Sequence, residues 1–250
     1  MASPSVIWTA GGGRIFPPGR YKLRTLAEPP DGGSQTTPIL DVWCESLGAI
    51  EPDTWAASAP TLAADKECLR QEVNRYFRTI AFVEKMLPQC HAWVAAVTKV
   101  AIPLRGEGTA FRSVSHPSLP GVVELDLLAE DQIVESLVHE SAHQYLYRLE
   151  AAAPLVDPDH HERYESPLRP DGRPLRGILL AYHALAFIAA FYRDALAVPL
   201  VARWGEQELA ARRELALQAE KTLFSQHCHL TTAGIHFLEE TRQALEYSRR

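Results

Sequence analysis

The chain has 250 residues, of which 46% are hydrophobic, and its formal net charge at pH 7 is −6. A chain of this length can bury a core of its own, and its acidic balance argues against a basic surface for nucleic acid or membrane lipid. Because no stretch has about 18 consecutive apolar residues and the N-terminus lacks the apolar core of a secretory signal, we expect a cytoplasmic protein that binds neither nucleic acid nor membrane.

The first part of the chain, residues 1–60, is rich in Gly, Pro, Ser and Thr. Turn-forming clusters lie at residues 11–13, 17–19 and 29–33. Such clusters indicate turns and loops, so we expect a loop-rich N-terminal arm with little regular structure. A short apolar run predicts one strand at 39–43. The remainder, 61–250, is expected to form a single domain.

Two helices and a small sheet are predicted between residues 61 and 127. Apolar residues at three-, four- and seven-residue intervals indicate a helix over 61–86, and Pro88 separates it from a second helix over 89–98. Short β-rich stretches between turn signals predict strands at 100–104, 110–115 and 122–127. The expected fold class is α+β, mainly helical, with a small antiparallel sheet ahead of the next helix. An exposed edge strand of such a sheet can bind an extended peptide.

A helix predicted over 133–149 carries the motif around which the chain is organised. The segment has no Gly or Pro, and its apolar residues recur at helical spacing. His139, Glu140 and His143 match the motif H-E-x-x-H, and residues four apart lie one above the other on a helix. Both imidazoles can therefore bind one metal ion. The alternative is a pair of core histidines bonded to carbonyl groups.

A third ligand is expected beyond residue 149. A loop rich in Pro, Asp and Arg comes first, and the almost wholly apolar helix predicted over 175–191 is interrupted by His183. An isolated histidine in an apolar helix is usually a core residue, but a metal held by two imidazoles needs another ligand. Two more helices are predicted over 198–221 and 222–250. Weaker ligand candidates are His160, His161, His227 and His229.

The known H-E-x-x-H classes narrow the choice of ligand. A metzincin requires Gly at position 146 and His at position 149, where this chain has Leu146 and Leu149, so that class is excluded. A gluzincin takes a downstream glutamate, but the first two turns of the apolar helix contain no carboxylate. The remaining candidates of that type are Glu150, Glu162 and Glu165. His183 is therefore preferred, and imidazole ligands suit both zinc and iron.

The residues allow two chemistries at the metal. With zinc, Glu140 would activate a bound water for attack on a peptide carbonyl; with iron, the open positions would take a co-substrate and oxygen. Arg169, Arg173 and Arg176 bracket the start of the apolar helix, and a guanidinium can pair bidentately with a carboxylate. Any one of them can equally be a solvated surface charge. Arg176 shares a helix face with His183, about 10 Å away along the axis, and is our choice to hold an acid near the metal.

The segment LVHESAHQYLYRL, followed by YESPLRPDGRPLRGILLAYHALAF, resembles a bacterial family of H-E-x-x-H proteins from peptide natural-product biosynthesis. The matching region spans residues 133–193, and the string Ser-Pro-x-Arg-Pro-Asp-x-Arg-Pro-x-Arg-Gly at 166–177 makes it far more specific than H-E-x-x-H alone. The resemblance implies 2-oxoglutarate- and iron(II)-dependent β-hydroxylation of a residue in a ribosomally made precursor peptide. It also implies a zincin-like scaffold, with His139 and His143 as metal ligands.

The expected activity is therefore that of a peptide hydroxylase, a dioxygenase in which His183 completes the iron site and Arg176 and Arg173 bind 2-oxoglutarate. The first alternative is a zinc metallopeptidase in which Glu140 is the general base. The second is a non-catalytic peptide-binding module with a structural metal, which a closed four-ligand site would support.

Overall fold

The chain divides into two compact units. The computed structural model describes residues 5–9, 12–16, 21–27, 39–44, 66–103, 113–127 and 129–247. The first unit is Met1–Gln144 and the second is Tyr145–Arg250. The described residues are mainly helical with short strands, so the expected α+β class is confirmed.

The described part of the first 44 residues contains four strands. β1 (Ser5–Thr9) and β2 (Gly12–Phe16) pair as an antiparallel hairpin, and β3 (Tyr21–Ala27) pairs antiparallel with β4 (Ile39–Cys44). The single strand predicted here is confirmed by β4, but the prediction of little regular structure is wrong. Short apolar stretches alternate with the turn-forming clusters, so most of those clusters separate strands rather than replace them. The predicted boundary at residue 60 lies outside the described residues.

Two helices follow, α1 (Lys66–Met86) and α2 (Pro88–Val97), and they confirm the two predicted in this part of the chain. Tyr76 and Ile80, four residues apart, lie on the buried face of α1. Pro88 lacks a backbone N–H and cannot continue a helix, but it fits the first turn of a new one. The second helix accordingly begins at that residue.

A five-stranded sheet has the order β3-β4-β5-β7-β6, where β5 is Val100–Pro103, β6 is Ser113–Ser115 and β7 is Val122–Leu125. β5 pairs in parallel with β4 and β7, whereas β6 pairs antiparallel with β7. The sheet is therefore mixed rather than antiparallel as expected. The two helices between β4 and β5 make a connection long enough for parallel pairing, and β6 occupies one side of β7, which leaves the other side to β5.

The H-E-x-x-H helix, α3, is Glu130–Ala152, which confirms the predicted helix and extends it at both ends. Glu130 and Asp131 lie in its first turn, where carboxylates stabilise the exposed amide groups of a helix N-terminus. Ile133 and Leu137 are buried four residues apart and fix the orientation of the helix in the first unit. The division between the units falls inside this helix, after Gln144.

A hairpin occupies part of the segment predicted as a loop. β8 (Arg163–Ser166) pairs antiparallel with β9 (Arg169–Pro174) in the second unit. Gly172 has φ +66°, and a Cβ atom at this position would lie 2.8 Å from the carbonyl oxygen of Tyr164, so only glycine fits. These two strands were not predicted, because a segment rich in Pro, Asp and Arg lacks the alternation of apolar and polar residues that indicates a strand.

Three helices form the rest of the second unit: α4 (Leu175–Ala195), α5 (Pro199–Ser225) and α6 (Thr232–Tyr247). They confirm the predicted helices, but the boundary between the last two helices lies later in the chain than the predicted position between 221 and 222. A short 3-10 helix, His227–His229, separates α5 from α6. The hydroxyl of Thr231 then accepts a hydrogen bond from the backbone N–H of Gly234, which caps the start of α6.

The core of the second unit forms around α4. The buried side chains of α4 pack with small residues of α5 and with apolar residues of α6. This core includes Ile178, Leu179, Tyr182 and Leu185 of α4, Ala216 and Ala219 of α5, and Phe237 and Leu238 of α6. Among the described helices, α4 is long and apolar enough to cross a membrane, with a mean hydropathy of 1.6, but 72% of that window is buried. A core helix satisfies the same criteria, so this is weak evidence for a membrane span.

Candidate metal centre

The two motif histidines lie side by side on α3 in the first unit. The ring centroids of His139 and His143 are 4.5 Å apart and the rings are nearly perpendicular, at 84°. Both side chains are half-buried. One turn of helix separates the two residues, so the backbone itself fixes the spacing of their nitrogen atoms. The predicted pairing of two imidazoles on one face is present, and two such nitrogen donors suit zinc or iron.

Glu140 is directed into the first unit. It is 3% exposed, and its Oε1 accepts a hydrogen bond of 2.7 Å from the hydroxyl of Ser113 on β6. Burying a carboxylate is costly unless it is hydrogen-bonded. The bond to Ser113 therefore both stabilises the carboxylate and joins α3 to the edge of the sheet.

Two further polar residues of α3 hold it in place. Ser141 is fully buried and its hydroxyl hydrogen-bonds that of Thr98 at 2.7 Å. Gln144, also fully buried, accepts a hydrogen bond from the backbone N–H of Gly121 and donates to three carbonyl oxygens. The three acceptors are the carbonyl groups of His116, Leu119 and Val122. This one side chain thus fixes the loop that leads into β7.

Gln144 was not singled out by the sequence analysis. Its position gives the only signal: it continues the buried face of Ile133, Leu137 and Ser141 at spacings of four, four and three residues. A polar residue on such a face needs hydrogen-bond partners, and here the loop supplies them.

His183, the predicted third ligand, is buried in the second unit at 1% exposure. Its ring stacks on Tyr145 at 5.8 Å and meets Phe187 and Phe237 at 4.6 and 4.8 Å. Three aromatic rings therefore hold its orientation. The role of His183 as a metal ligand stays a prediction.

Arg176 forms a bidentate pair with Glu150. Its Nε and Nη2 donate hydrogen bonds of 2.8 and 2.6 Å to the two carboxylate oxygens, and its guanidinium carbon lies 5.7 Å from the ring centroid of Tyr147. The hydrogen bond that Arg176 donates to Glu150 is the main cause that raises the pKa of Arg176. The arginine chosen to bind 2-oxoglutarate already has a carboxylate partner within its own unit.

Arg173 differs from Arg176 in this respect. Within the described part of the chain it forms no ion pair, and its polar contact is a long 3.5 Å hydrogen bond from Nη1 to the carbonyl oxygen of Gly177. Its aliphatic stem lies against Gly177, where a Cβ would be 3.2 Å from that of Arg173. Partial burial, and then the charge of Arg169, lower the pKa of Arg173. A cation in these surroundings is suited to bind an anion.

The weaker ligand candidates make other contacts. The rings of His160 and His229 stack at 3.8 Å, and Nε2 of His160 is 2.6 Å from the hydroxyl of Tyr164. Nδ1 of His227 lies 3.0 Å from the carbonyl oxygen of Phe224, and His161 is exposed. These contacts join loops of the second unit and give no reason to prefer them to His183.

No group of three or more His, Cys, Asp or Glu side chains is arranged to hold a metal among the residues that the structure describes. The geometry therefore gives a two-histidine pair, and the third ligand rests on the sequence. A scan against protein-family models finds no match for the chain, and a search of curated proteins finds no significant similarity.

Proposed function

We propose that the protein is an iron(II)- and 2-oxoglutarate-dependent hydroxylase that acts on a β carbon in a ribosomally made precursor peptide. The observation that carries the proposal is the pair of imidazoles of His139 and His143, 4.5 Å apart on one helix face and open enough to reach a ligand. The resemblance of residues 133–193 to peptide-modifying H-E-x-x-H proteins supports this choice of reaction.

Iron(II) would be held by His139 and His143, with His183 as the proposed third ligand. Three protein ligands leave positions for exchangeable ligands, as catalytic rather than structural sites require. When bound, the iron supplies the oxidation chemistry, in which one oxygen atom of O₂ enters the peptide and the other oxidises 2-oxoglutarate to succinate and carbon dioxide.

The far carboxylate of 2-oxoglutarate needs a cationic partner, and we propose Arg173 and Arg176 for this role. The contacts favour Arg173 as the stronger contributor, because Arg176 would first have to exchange its bidentate partner Glu150. Arg173 lies beside Arg169 and pairs with no carboxylate in the described residues. A bound anion would relieve the repulsion between these two guanidinium groups.

The proposed scaffold is zincin-like. Supporting features in the first unit are the mixed sheet, its antiparallel edge strand β6, and the hydrogen bond from Ser113 of that strand to Glu140 of α3. An extended peptide can add to an edge strand through backbone hydrogen bonds. This mode of binding suits a flexible precursor peptide and is the one we propose.

A zinc metallopeptidase with Glu140 as general base is the second candidate. The position of Glu140 directly after His139 on α3 favours it, since H-E-x-x-H peptidases use this glutamate to activate water. Against it, the carboxylate is 3% exposed and one of its two oxygens already accepts a hydrogen bond from Ser113, which limits its contact with a bound water.

The experiment loads the full-length protein anaerobically with iron(II) and adds 2-oxoglutarate, air and a library of synthetic peptides that presents every common side chain. A hydroxylase gives peptides heavier by one oxygen atom together with equimolar succinate, both measured by mass spectrometry. The same incubation with zinc and no 2-oxoglutarate is the control for peptidase activity.

The three candidates give different products. Peptide fragments in the zinc incubation, without succinate in the iron incubation, would reject the hydroxylase and support the peptidase. Peptide retention on the protein without any chemical change would support the non-catalytic binding module. Hydroxylated peptide that appears only with iron and 2-oxoglutarate together is the expected result.

A further inference from the structure

Glu140 is a buried acidic side chain whose function in a hydroxylase does not follow from the motif. Its carboxylate is 3% exposed and accepts a 2.7 Å hydrogen bond from Ser113. A carboxylate withdrawn from water needs such bonds, and bonds to charged groups are stronger than neutral ones. The Glu140–Ser113 hydrogen bond therefore restrains β6 relative to α3.

The strand that contains Ser113, β6, is short and lies at the edge of the sheet. β6 has three residues and pairs with β7 on one side, through Ser113 with Leu125 and Ser115 with Val123. So short a ladder restrains a strand weakly. A side-chain bond from a buried helix adds the restraint that the ladder by itself lacks.

The α3-facing side of β6 contains a second hydroxyl. Residues two apart on a strand point to the same face, so Ser115 shares the face of Ser113. Its Oγ is buried and meets no hydrogen-bonding group among the residues that the structure describes. Glu140 thus selects one of two serines, which fixes the strand in one position along the helix.

We infer that Glu140 is a positioning residue that acts through Ser113. It holds β6 in register beside the helix turn that carries His139 and His143, so that a peptide added to β6 is presented to the metal in one alignment. The part of this inference that concerns a peptide substrate rests on the proposed function. The part that concerns the position of β6 rests on the Glu140–Ser113 hydrogen bond. It gives the motif glutamate a role that needs no proton transfer.

The test measures amide hydrogen exchange and peptide kinetics on the full-length protein. Ser113→Ala and Glu140→Ala should each speed exchange of a fragment covering 113–115 by about tenfold, because a hydrogen bond to a charged group is lost. Both should raise the KM for a peptide substrate by a similar factor of about ten, with kcat changed by less than about threefold. Iron content should stay at the wild-type level.

Conservative variants provide the rescue. Ser113→Thr keeps the hydroxyl, and Glu140→Gln keeps an acceptor oxygen, so both should lie closer to the wild type than the alanine variants in exchange rate and KM. Ser225→Ala, at an exposed serine of the second unit, is the matched control and should change neither quantity. If Glu140→Ala does not fold, Ser113→Ala still removes the same hydrogen bond and tests its effect.

Each failure has a separate signature. Wild-type exchange at 113–115 in Ser113→Ala would overturn the inference, and so would a kcat in Glu140→Gln that falls at unchanged KM, since that indicates proton transfer. Faster exchange with an unchanged peptide KM would reject β6 as the docking strand. Absence of hydroxylated product from the wild type would reject the proposed function, whereas the exchange data would still decide whether Glu140 positions β6.

Discussion

The two halves of α3 are held in their units by different kinds of interaction. Up to Gln144 the helix presents buried polar residues, among which Glu140, Ser141 and Gln144 are each hydrogen-bonded to a strand or loop of the first unit. Beyond that point it presents Leu146, which packs in an apolar core, and Glu150, which forms an ion pair near the surface.

This difference concerns how the orientation of the helix is fixed. Hydrogen bonds are directional, so the polar half fixes the orientation of the helix turn that carries His139 and His143. Apolar packing is not directional but scales with buried area, and both halves contribute it, since Ile133 and Leu137 are buried in the first half and Leu146 in the second. Changes to the polar residues of the first half should therefore damage the site more than changes to the apolar residues of the second half.

The largest functional effect is expected from the histidines. His139→Ala and His143→Ala should each abolish stoichiometric iron binding, because a metal site cannot keep its affinity after losing one of a few ligands. Since both side chains are half-buried, the free energy of unfolding of the metal-free protein should change by about 1 kcal/mol or less. Metal analysis and urea denaturation measure the two quantities. Iron binding that persists in both variants would contradict the site; His236→Ala, at an exposed histidine, is the control.

The largest stability effect is expected in the second unit. Leu179→Ala removes a fully buried side chain from the α4 core and should lower the free energy of unfolding by about 2–5 kcal/mol, measured by urea denaturation. Leu217→Ala, at an exposed leucine of α5, should cost less than about 0.5 kcal/mol. Equal losses in the two variants would mean that the second unit is not stabilised by this core.

A smaller loss is expected from the polar half. Gln144→Leu keeps the volume but leaves the N–H of Gly121 and several carbonyl groups unpaired in the interior, which should cost about 1–3 kcal/mol in urea denaturation. Gln132→Leu, at an exposed glutamine of the same helix, should have little effect. A stability equal to that of the wild type would show that the loop before β7 does not depend on this side chain.

The smallest effects are expected from the arginines. Arg173→Ala should raise the KM for 2-oxoglutarate about tenfold through loss of a charged hydrogen bond, and Arg176→Ala should raise it less. Arg176→Ala should also cost less than about 1 kcal/mol of stability, because its ion pair is partly exposed. Succinate formation at varied 2-oxoglutarate concentration measures the first effect, with Arg213→Ala as control. The reverse ranking would favour Arg176 as the carboxylate-binding residue.

Most helices and the histidine pair were predictable from the sequence because they depend on local spacing. Apolar periodicity identified α1, α3 and α4, and a spacing of four residues was enough to place His139 and His143 on one face. Pro88 marked the break between α1 and α2 for an equally local reason. The hairpin β8–β9 was missed, since a strand rich in Pro, Asp and Arg has no apolar alternation to reveal it.

The partners of the polar residues were not predictable. Ser113 and Glu140 are 27 positions apart, and only the folded sheet shows which serine of β6 reaches the carboxylate. The parallel pairing of β5 with β4 and β7 likewise depends on how the chain crosses over, which no local pattern encodes.

The sequence by itself determined the helices and the side-by-side histidines, because a helix converts spacing along the chain directly into spacing in space. Only the tertiary structure decided that Glu140 is bonded to Ser113, that Gln144 holds the loop before β7, and that Arg176 is paired with Glu150. Those outcomes depend on which distant groups come within hydrogen-bonding distance, and that is a property of packing rather than of local spacing.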